Sequence, residues 1–213
     1  MPQLILDISV SLDGFVAGPN ASLDDPLGEG GMQLHEWVLV TKAWREAHGQ
    51  EGGEEDVDSD LAAELIGQAS TTIMGRHMFS GGQGAWENDP NANGWWGDDP
   101  PFHHPVFVLT HHPREPLAVN GGTTFTFISD GIKPALEQAR EAAGNGDIRL
   151  GGGADVAQQY LRTGLLDRIQ LHVVPLLLGS GVRLFDGNEG KLELTRSLAS
   201  PTGVMHLDYR PQR

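Results

Sequence analysis

Glycine, arginine and histidine residues follow the ends of three predicted strands, where they could bind an anion. Gly75-Arg76-His77 follows strand 70–74, Thr110-His111-His112 closes strand 106–110, and Gly151-Gly152-Gly153 leads from a short strand into an amphipathic helix. Glycines let a phosphate or a flat ring approach the backbone, and the N–H groups that begin a helix favour negative charge. Guanidinium groups suit phosphate. Because ligands in open α/β sheets lie at the carboxyl ends of strands, the three segments together predict a dinucleotide site.

Each segment taken alone has a simpler interpretation. The three glycines are also typical of a plain turn, and Arg76 and His77 could be exposed residues that begin the next turn. Val156 occupies the last position of the G-x-G-x-x-G/A fingerprint, which argues against a Rossmann dehydrogenase. The sequence also has no G-x-x-x-x-G-K-[ST] loop, which argues against a kinase or a GTPase.

The elements that must position these residues alternate between strands and helices and end in an antiparallel group. This order predicts one domain, residues 1–213, with a three-layer α/β fold around a mixed sheet. A long loop to about Gly31 follows the first strand, and an irregular excursion runs from Gly81 to His104. Strands are predicted at 4–10, 70–74, 106–110, 123–128, 168–174, 191–198 and 204–210, a hairpin at 176–185, and helices at 34–47, 61–68 and 132–143.

Composition excludes several classes of protein. The formal net charge of -15 argues against nonspecific binding to nucleic acid or to an anionic membrane. The absence of cysteine excludes disulfides, thiolate zinc sites, iron–sulfur clusters and a cysteine nucleophile. No segment has the length of apolar sequence that a membrane span needs, and the first residues lack the pattern of a secretory signal. We therefore expect a cytoplasmic protein with no membrane partner.

No metal site is predicted. Asp56, Asp58 and Asp60 resemble the start of a calcium loop, but Leu61 and Gly67 stand where that loop needs Gly and Glu. The histidine pairs 103–104 and 111–112 could suggest a metal, yet adjacent histidines on an extended segment point to opposite sides. Both groups are better interpreted as solvated or phosphate-facing residues.

Three motifs resemble the cofactor segments of dihydrofolate reductases in the same order: Met74-Gly75-Arg76-His77, Leu109-Thr110-His111, and Leu150-Gly151-Gly152-Gly153 with its helix. The segments 11–14, 164–167 and 175–185 are more similar to the reductase domain of bacterial riboflavin biosynthesis. The resemblance covers nearly the whole chain. It implies a dihydrofolate-reductase-like fold with a mainly parallel sheet flanked by helices, and commonly a homodimer.

The resemblance also implies an NADP(H) site. Arg76 and His77 would lie against the cofactor phosphates, and Thr110, His111 and either His112 or Arg114 would surround the 2′-phosphate. Residues 16–18 would border the nicotinamide. The residues assigned to the cofactor are Val16, Ala17, Gly18, Gly75, Arg76, His77, Leu109, Thr110, His111, His112, Leu150, Gly151, Gly152, Gly153, Ala154, Asp155 and Val156.

Hydride transfer needs a proton source beside the substrate. Asp13 and Glu36 are the candidate acids, although Asp13 could equally be a turn residue; Trp37 and Phe79 could stack on a flat substrate or pack in the core. The resemblance therefore implies an NADPH-dependent reductase of a small pterin- or pyrimidine-like heterocycle, such as 5-amino-6-(5-phosphoribosylamino)uracil or a dihydrofolate. The alternative is an NADPH-binding sensor or resistance protein without catalysis, and a flavin enzyme is a weaker third option.

Overall fold

The fold is built on a large central sheet, seen in a computed structural model that describes residues 2–212. Within these residues a second, two-stranded sheet joins β2 to β9. The strands are β1 (Leu4–Ser11), β2 (Phe15–Ala17), β3 (Ala69–Gly75), β4 (Pro105–Leu109), β5 (Leu117–Ala118), β6 (Thr124–Ile128), β7 (Asp147–Leu150), β8 (Arg168–Val174), β9 (Val182–Arg183), β10 (Leu192–Ala199) and β11 (Met205–Pro211).

Helices cover the large sheet and fill the connections between its strands. They are α1 (Glu36–Leu39), α2 (Lys42–Ala47), α3 (Val57–Gln68), α4 (Arg76–Ser80), α5 (Ile132–Ala143) and α6 (Ala154–Arg162). Short 3-10 segments lie at Gly31–His35, Trp86–Asn88 and Asn120–Gly122. None of the helices in residues 2–212 combines the length and apolar character needed to cross a membrane.

The strand order of the large sheet is β10-β11-β8-β1-β7-β3-β4-β6-β5. The six strands from β8 to β6 are parallel to their neighbours, whereas β11, β10 and β5 pair antiparallel. The expectation of a three-layer α/β fold with a mixed, mainly parallel sheet is therefore confirmed. This order also places the carboxyl ends of β1, β7, β3 and β4 beside one another at one edge.

Successive side chains of a strand point to opposite faces, so β1 shows what each face of the sheet contains. Leu4, Leu6 and Val10 belong to the main apolar core. That core extends over β7 and packs against buried residues of α5 and α6, including Ala139 and Tyr160. Asp7, Ser9 and Ser11 alternate with those residues, are also buried, and point to the opposite face.

The opposite face carries an aromatic cluster near β6, a smaller apolar cluster near β8, and polar side chains between them. Phe79 of α4 packs edge-on against Phe125 and Phe127 of β6, with ring centroids 5.0 and 5.3 Å apart. Nearer β8, Trp37 of α1 packs with Leu34, Val174 and Val204 in a smaller cluster. Between these two groups lie charged residues of β1, β7, β8 and β11.

Two predicted elements were wrong. The helix expected at 34–47 is a 3-10 segment followed by two short helices, because Thr41 adopts extended backbone angles and its hydroxyl caps α2 by accepting from the N–H of Trp44. The hairpin expected at 176–185 does not pair with itself. Its residues 182–183 pair with β2, at the far end of the sequence.

Candidate functional site

The three segments singled out by sequence meet at the carboxyl edge of the sheet. β7, β3 and β4 are neighbours, and Gly75 lies opposite Leu109 in the register of β3 and β4. The Gly75 N–H donates to the carbonyl of Gly152 at 3.0 Å, and the Gly151 N–H donates to the carbonyl of Ile73 at 3.0 Å. The glycine turn is therefore hydrogen-bonded directly to the end of β3.

The glycine turn leaves open space where a ligand could approach the backbone. The Gly152–Gly153 peptide is cis, and Gly152 has a φ of 113°, which favours glycine. A Cβ built on Gly153 would meet no heavy atom within 4 Å, so the space above that residue is free. α6 begins at the next residue, and Asp155 is exposed in its first turn. Leu150, Ala154 and Val156 instead direct their side chains into the core.

Arg76 lies in a buried ion pair instead of facing solvent. Its Nη1 is 2.5 Å from an Asp89 carboxylate oxygen, both side chains are less than a tenth exposed, and Ser80 bonds to both. The Trp86 ring lies over the guanidinium, with its centroid 3.5 Å from the guanidinium carbon. Burial would raise the pKa of Asp89, but hydrogen bonds from Ser80, the Asn91 N–H and Arg76 lower it. Arg76 is therefore not the exposed residue that the sequence also allowed, and its contact with the cofactor phosphates stays a prediction for the atoms that Asp89 does not engage.

Three side-chain nitrogens in this segment, two of them Arg76 donors, lack a partner among the described residues. The Nε and Nη2 of Arg76 and the Nδ1 of His77 are buried without a hydrogen bond. The Nε2 of His77 is 3.3 Å from the Pro26 carbonyl, a contact that joins α4 to the loop after β2. Unpaired buried donors are unfavourable, so an acceptor that reached them would be stabilised.

The end of β4 is partly covered by the excursion at 81–104. Thr110 is buried, and its hydroxyl accepts from the N–H of His112, whereas His111 is exposed. Trp86 donates its indole N–H to the His112 carbonyl at 2.8 Å, and Arg114 lies 4.7 Å from the Trp86 ring centroid. Trp86 thus lies against two guanidinium groups where the adenosine end of a cofactor is expected.

Asp13 is held as an ionised turn residue. Its carboxylate accepts from the Ser11 hydroxyl at 2.6 Å and from the N–H groups of Leu178 and Gly179 at 3.1 and 2.7 Å. The Ser11 hydrogen bond is the main reason that the pKa of Asp13 is lowered. A carboxyl group whose ionised form is stabilised in this way is a poor proton donor. Its role as the catalytic acid is corrected to that of an anchor between the first loop and residues 178–179.

Residues 16–18, at the start of the first loop, present little side-chain surface. Val16 is buried in the main core, and Gly18 donates its N–H to the Leu27 carbonyl at 2.7 Å. A Cβ on Gly18 would come within 2.0 Å of the Glu29 carbonyl oxygen, so this glycine is required for loop packing. Ala17 is half-buried in β2. Only backbone of this segment and Ala17 remain to border a ligand.

The two aromatic residues assigned to substrate stacking have other contacts. Phe79 is fully buried in the aromatic cluster, so that assignment is corrected. Trp37 is 6% exposed, donates its indole N–H to the Ser9 hydroxyl at 3.0 Å, and lies against two imidazole rings. Its faces are therefore occupied, and its assignment is corrected too. Glu36, at the start of α1, is exposed.

A row of buried charged residues crosses the polar face of the sheet. Asp7 accepts from the Nε2 of His172 at 2.8 Å, the Nδ1 atoms of His172 and His206 are 2.8 Å apart, and the Nε2 of His206 lies 2.8 Å from Asp58. Arg149 is 2.7 Å from the second oxygen of Asp7. Burial would raise the pKa of Asp7, but Arg149 and His172 outweigh it and lower that pKa to about 2.

Sequence reasoning missed this row, although it leaves a signal. Asp7, Arg149, His172 and His206 are charged or imidazole side chains on four strands of the large sheet, and Asp7, His172 and His206 are buried there. A polar residue at an inward strand position must find a partner, because burying it alone is unfavourable. Several such positions on strands of one sheet predict a shared polar network.

Arg149 connects the row to a polar patch below the glycine turn. Thr72 lies beside Arg149 in the register of β3 and β7, and its hydroxyl is 2.8 Å from the Nε2 of His104. A Cβ on Gly151 would lie 3.7 Å from a Thr72 methyl, which places the patch next to the turn. Burial, Arg149 and His103 lower the pKa of His104 to about 4, and burial is also the main reason that the pKa of His35 is lowered.

Residues 2–212 contain no group of three or more side chains that could hold a metal ion. Asp56 caps α3 by accepting from the N–H groups of Asp58 and Ser59, and Asp58 belongs to the buried row. The chemistry at the carboxyl edge is therefore that of backbone amides and the buried Arg76 guanidinium, whereas the neutral imidazole of His104 lies by the amino end of β4. These groups suit an anionic, planar ligand that lies along the ends of β7, β3 and β4.

Comparisons with known proteins agree with this architecture. The uncharacterized protein YyaP of Bacillus subtilis (strain 168) is 25% identical over 97% of this chain and 94% of its own length. A Shewanella sp. PV-4 protein assigned to riboflavin biosynthesis superposes with a TM-score of 0.60, at 20% identity and with all of both chains covered. A diaminohydroxyphosphoribosylaminopyrimidine deaminase/5-amino-6-(5-phosphoribosylamino)uracil reductase from Thermotoga maritima gives a TM-score of 0.56 at 12% identity, over 99% of this chain and 57% of that one.

At these identities the two solved structures show a common fold. The family model of the RibD C-terminal domain matches residues 2–206 of the sequence. Since that match extends over nearly the whole chain, the chain belongs to the RibD C-terminal domain family and has its dihydrofolate-reductase-like fold.

Proposed function

We propose that this protein is an NADPH-dependent reductase of a small pyrimidine-like heterocycle. The observation that carries the proposal is the open glycine turn at 151–153, hydrogen-bonded to the end of β3 in a chain of the RibD C-terminal domain family. The family indicates a riboflavin-pathway type of reductase. The name of the Thermotoga maritima protein gives that protein a uracil derivative as substrate, and we extend this substrate class to the present chain.

The residues at the carboxyl edge fit an anionic dinucleotide. The free space above Gly153 would receive the cofactor against the start of α6, where N–H groups favour negative charge. The unpaired Nε and Nη2 donors of Arg76 would receive phosphate oxygens. The exposed Asp155 adds a negative charge, so these cationic donors are needed to offset it.

The cofactor would supply a hydride, and the protein must supply the dry surroundings and a proton. Glu36 is the proposed acid, because it lies in the first turn of α1 and is exposed, whereas Asp13 is committed to its loop contacts. The neutral imidazole of His104 and the cationic Arg149 border the polar patch below the glycine turn. These two groups would orient a flat, polar substrate by donating and accepting hydrogen bonds.

The experiment is a fluorescence titration with NADPH, followed by its oxidation with 5-amino-6-(5-phosphoribosylamino)uracil and, separately, dihydrofolate as hydride acceptors. We expect NADPH to bind more tightly than NADH and to be oxidised only with the uracil compound. Glu36→Gln should lower kcat by about 10²-fold with the same NADPH affinity, since general acids contribute about 10² to 10⁴. Binding without oxidation by either acceptor would favour a non-catalytic cofactor-binding protein, and absence of NADPH binding would contradict both.

A homodimer in the cytoplasm is part of the same proposal. β10 lies at one end of the sheet order and exposes Leu192 and Leu194, which are 38% and 52% accessible. An exposed strand edge with apolar side chains is a surface on which a second copy could pair. Light scattering on the purified chain measures the mass directly, and a monomer at micromolar concentration would contradict this part of the proposal.

A further inference from the structure

The buried row from Asp7 to Asp58 contains three consecutive close contacts between titratable groups. The Asp7–His172, His172–His206 and His206–Asp58 contacts are each 2.8 Å. All four side chains are less than a tenth exposed. Two electronegative atoms at this distance form a hydrogen bond only when one proton lies between them.

The geometry fixes the number of protons in the row. Three hydrogen bonds need three protons, whereas two neutral imidazoles carry two between them. The count is the same whether the third proton resides on His172, on His206 or on Asp58. With three protons the four groups have a net charge of −1, and the Arg149 guanidinium beside Asp7 neutralises it.

Removing the third proton must break one of the three contacts. Each imidazole then keeps a proton on the Nε2 that faces its carboxylate, because a bare nitrogen next to a carboxylate is unfavourable. The two Nδ1 atoms are left as acceptors that face one another. The His172–His206 contact is therefore the one that opens.

Trp37 senses this contact, because its ring lies against both imidazoles, at centroid distances of 4.7 and 4.9 Å. A ring that carries a positive charge is attracted to the face of an indole, and that attraction is lost when the ring is neutral. Trp37 is also bonded to Ser9 of β1 and belongs to α1, directly after the long first loop. The protonation of the row therefore affects how Trp37, and with it α1, packs on the sheet.

We propose that His172 and His206 form a proton-operated latch, which closes on uptake of a single shared proton and thereby holds α1 against the sheet. Charged groups face this latch from every side. Asp7 and Arg149 lie on β1 and β7, His35 precedes α1, Asp58 is on α3, and Arg196 extends from β10. On β8 and β11 themselves, Arg168 pairs with Asp208.

The groups around His206 oppose one another. Burial lowers the pKa of His206, and the hydrogen bond to Asp58 only partly counteracts this, so the latch closes on the acid side of the ordinary histidine range. Asp58 is itself fixed by the hydroxyls of Ser200 and Thr202, at 2.7 and 3.0 Å. These hydroxyls donate to the carboxylate oxygen that does not contact His206, so they fix the orientation of Asp58 towards that imidazole.

The test is nitrogen NMR on the full chain with ¹⁵N-labelled histidine, between about pH 4.5 and 8.5. A scalar coupling between the Nδ1 nuclei of His172 and His206 requires a proton between them. We expect this coupling at the acid end and its loss at the alkaline end, together with a shift of the ¹⁹F signal of fluorotryptophan at Trp37. A coupling that is absent at both ends, or present and constant throughout, overturns the proposal.

Two variants and a control complete the test. Asp58→Asn removes the carboxylate that supports His206. It should move the pH midpoint for loss of the Nδ1–Nδ1 coupling at least one unit towards acid. Ser200→Ala deletes one donor to Asp58 and should move the midpoint the opposite way, which serves if Asp58→Asn does not fold. His48→Gln changes a histidine that stacks on Trp44 outside the row and should leave the midpoint in place. If both variants fold and keep the wild-type midpoint, Asp58 does not belong to the titrating unit and the latch is refuted.

Discussion

The N–H of Gly75 donates to the carbonyl of Gly152 at 3.0 Å, so the end of β3 and the glycine turn after β7 form one continuous surface. A Cβ on Gly75 would lie 3.0 Å from a Val156 methyl, which ties the first helical turn of α6 to the same place. Residues 75 and 152 are far apart in sequence and adjacent in space. The predictions that follow test this surface and its neighbours.

Gly153→Leu should weaken NADPH binding at least tenfold, about 1.4 kcal/mol, because the new side chain would occupy the free space above the turn. Gly153 has a φ of -79°, so other residues can adopt its backbone conformation. The free energy of unfolding should change by less than about 1 kcal/mol, as for other surface substitutions.

Gly67→Leu is the matched control, since a Cβ on Gly67 in α3 also meets nothing within 4 Å. It should leave the NADPH dissociation constant unchanged. Equal NADPH affinities for the wild type and Gly153→Leu would show that the cofactor does not bind at this turn.

Asp89→Asn should destabilise the fold by about 3 to 5 kcal/mol, because it leaves the buried Arg76 guanidinium without its counter-charge. Denaturant unfolding of the single variants and of the double variant Arg76→Met/Asp89→Asn measures the coupling. The double variant should be more stable than Asp89→Asn alone.

The exposed pair Lys42–Glu55, with the same kind of contact at 2.8 Å, provides the comparison. Glu55→Gln should cost no more than about 1 kcal/mol, since solvent screens exposed pairs. A similarly small loss for Asp89→Asn would show that Arg76 is not held by the ion pair.

His104 should make the protein less stable in mild acid. Its folded pKa is about 4, below the ordinary value of 6.5, so the unfolded chain binds a proton that the folded chain rejects. Above about pH 6.5 both states are neutral there and the effect is absent. Stability is therefore lost as the pH falls from about 6.5 to about 4.

Denaturant unfolding of His104→Gln over this pH range should show a smaller loss than the wild type. His48→Gln alters a histidine that takes no part in the Thr72 contact. It should lose as much stability as the wild type between about pH 6.5 and about pH 4. Parallel curves for the wild type and His104→Gln would contradict the lowered pKa.

Phe79→Ala should cost about 3 to 5 kcal/mol of stability, because it empties the centre of the aromatic cluster. The same variant, studied where it is folded, should bind NADPH and substrate as the wild type does. Phe185→Ala, at a residue 38% exposed, should change stability by about 0.5 kcal/mol or less. A selective loss of substrate affinity in Phe79→Ala would restore its role in stacking.

The strands and long helices could be predicted because their hydrophobic periods are local. The helix predicted at 132–143 has those bounds in the structure, and β1 extends the predicted strand by one residue. The helix at 34–47 failed because the pattern does not reveal that Thr41 would turn its hydroxyl onto Trp44. Residues 176–185 failed because the partner of β9 is β2, and such pairings are not encoded locally.

The candidate site was located by sequence, but the roles of its side chains were not. The three strand ends, two of them with glycine, were correctly expected to converge, since parallel strands bring their carboxyl ends together. The capture of Arg76 by Asp89 depends on the path of the 81–104 excursion, for which the sequence provides no period. Asp7 and His172 were missed because they are 165 residues apart in sequence, and only the pairing of β1 with β8 brings them into contact.

The pairing of β2 with β9 and the carboxylate of Asp13 hold the first loop from the far end of the chain. Residues 15–17 and 182–183 are separated by most of the chain, so their pairing closes a long loop and costs more conformational entropy than a local hairpin. A protease cut near Gly179 would free the first loop from residues 178–183, and the nine-stranded sheet would stay folded. Binding at the glycine turn and resistance to proteolysis would then be lost together, well before the sheet itself unfolds.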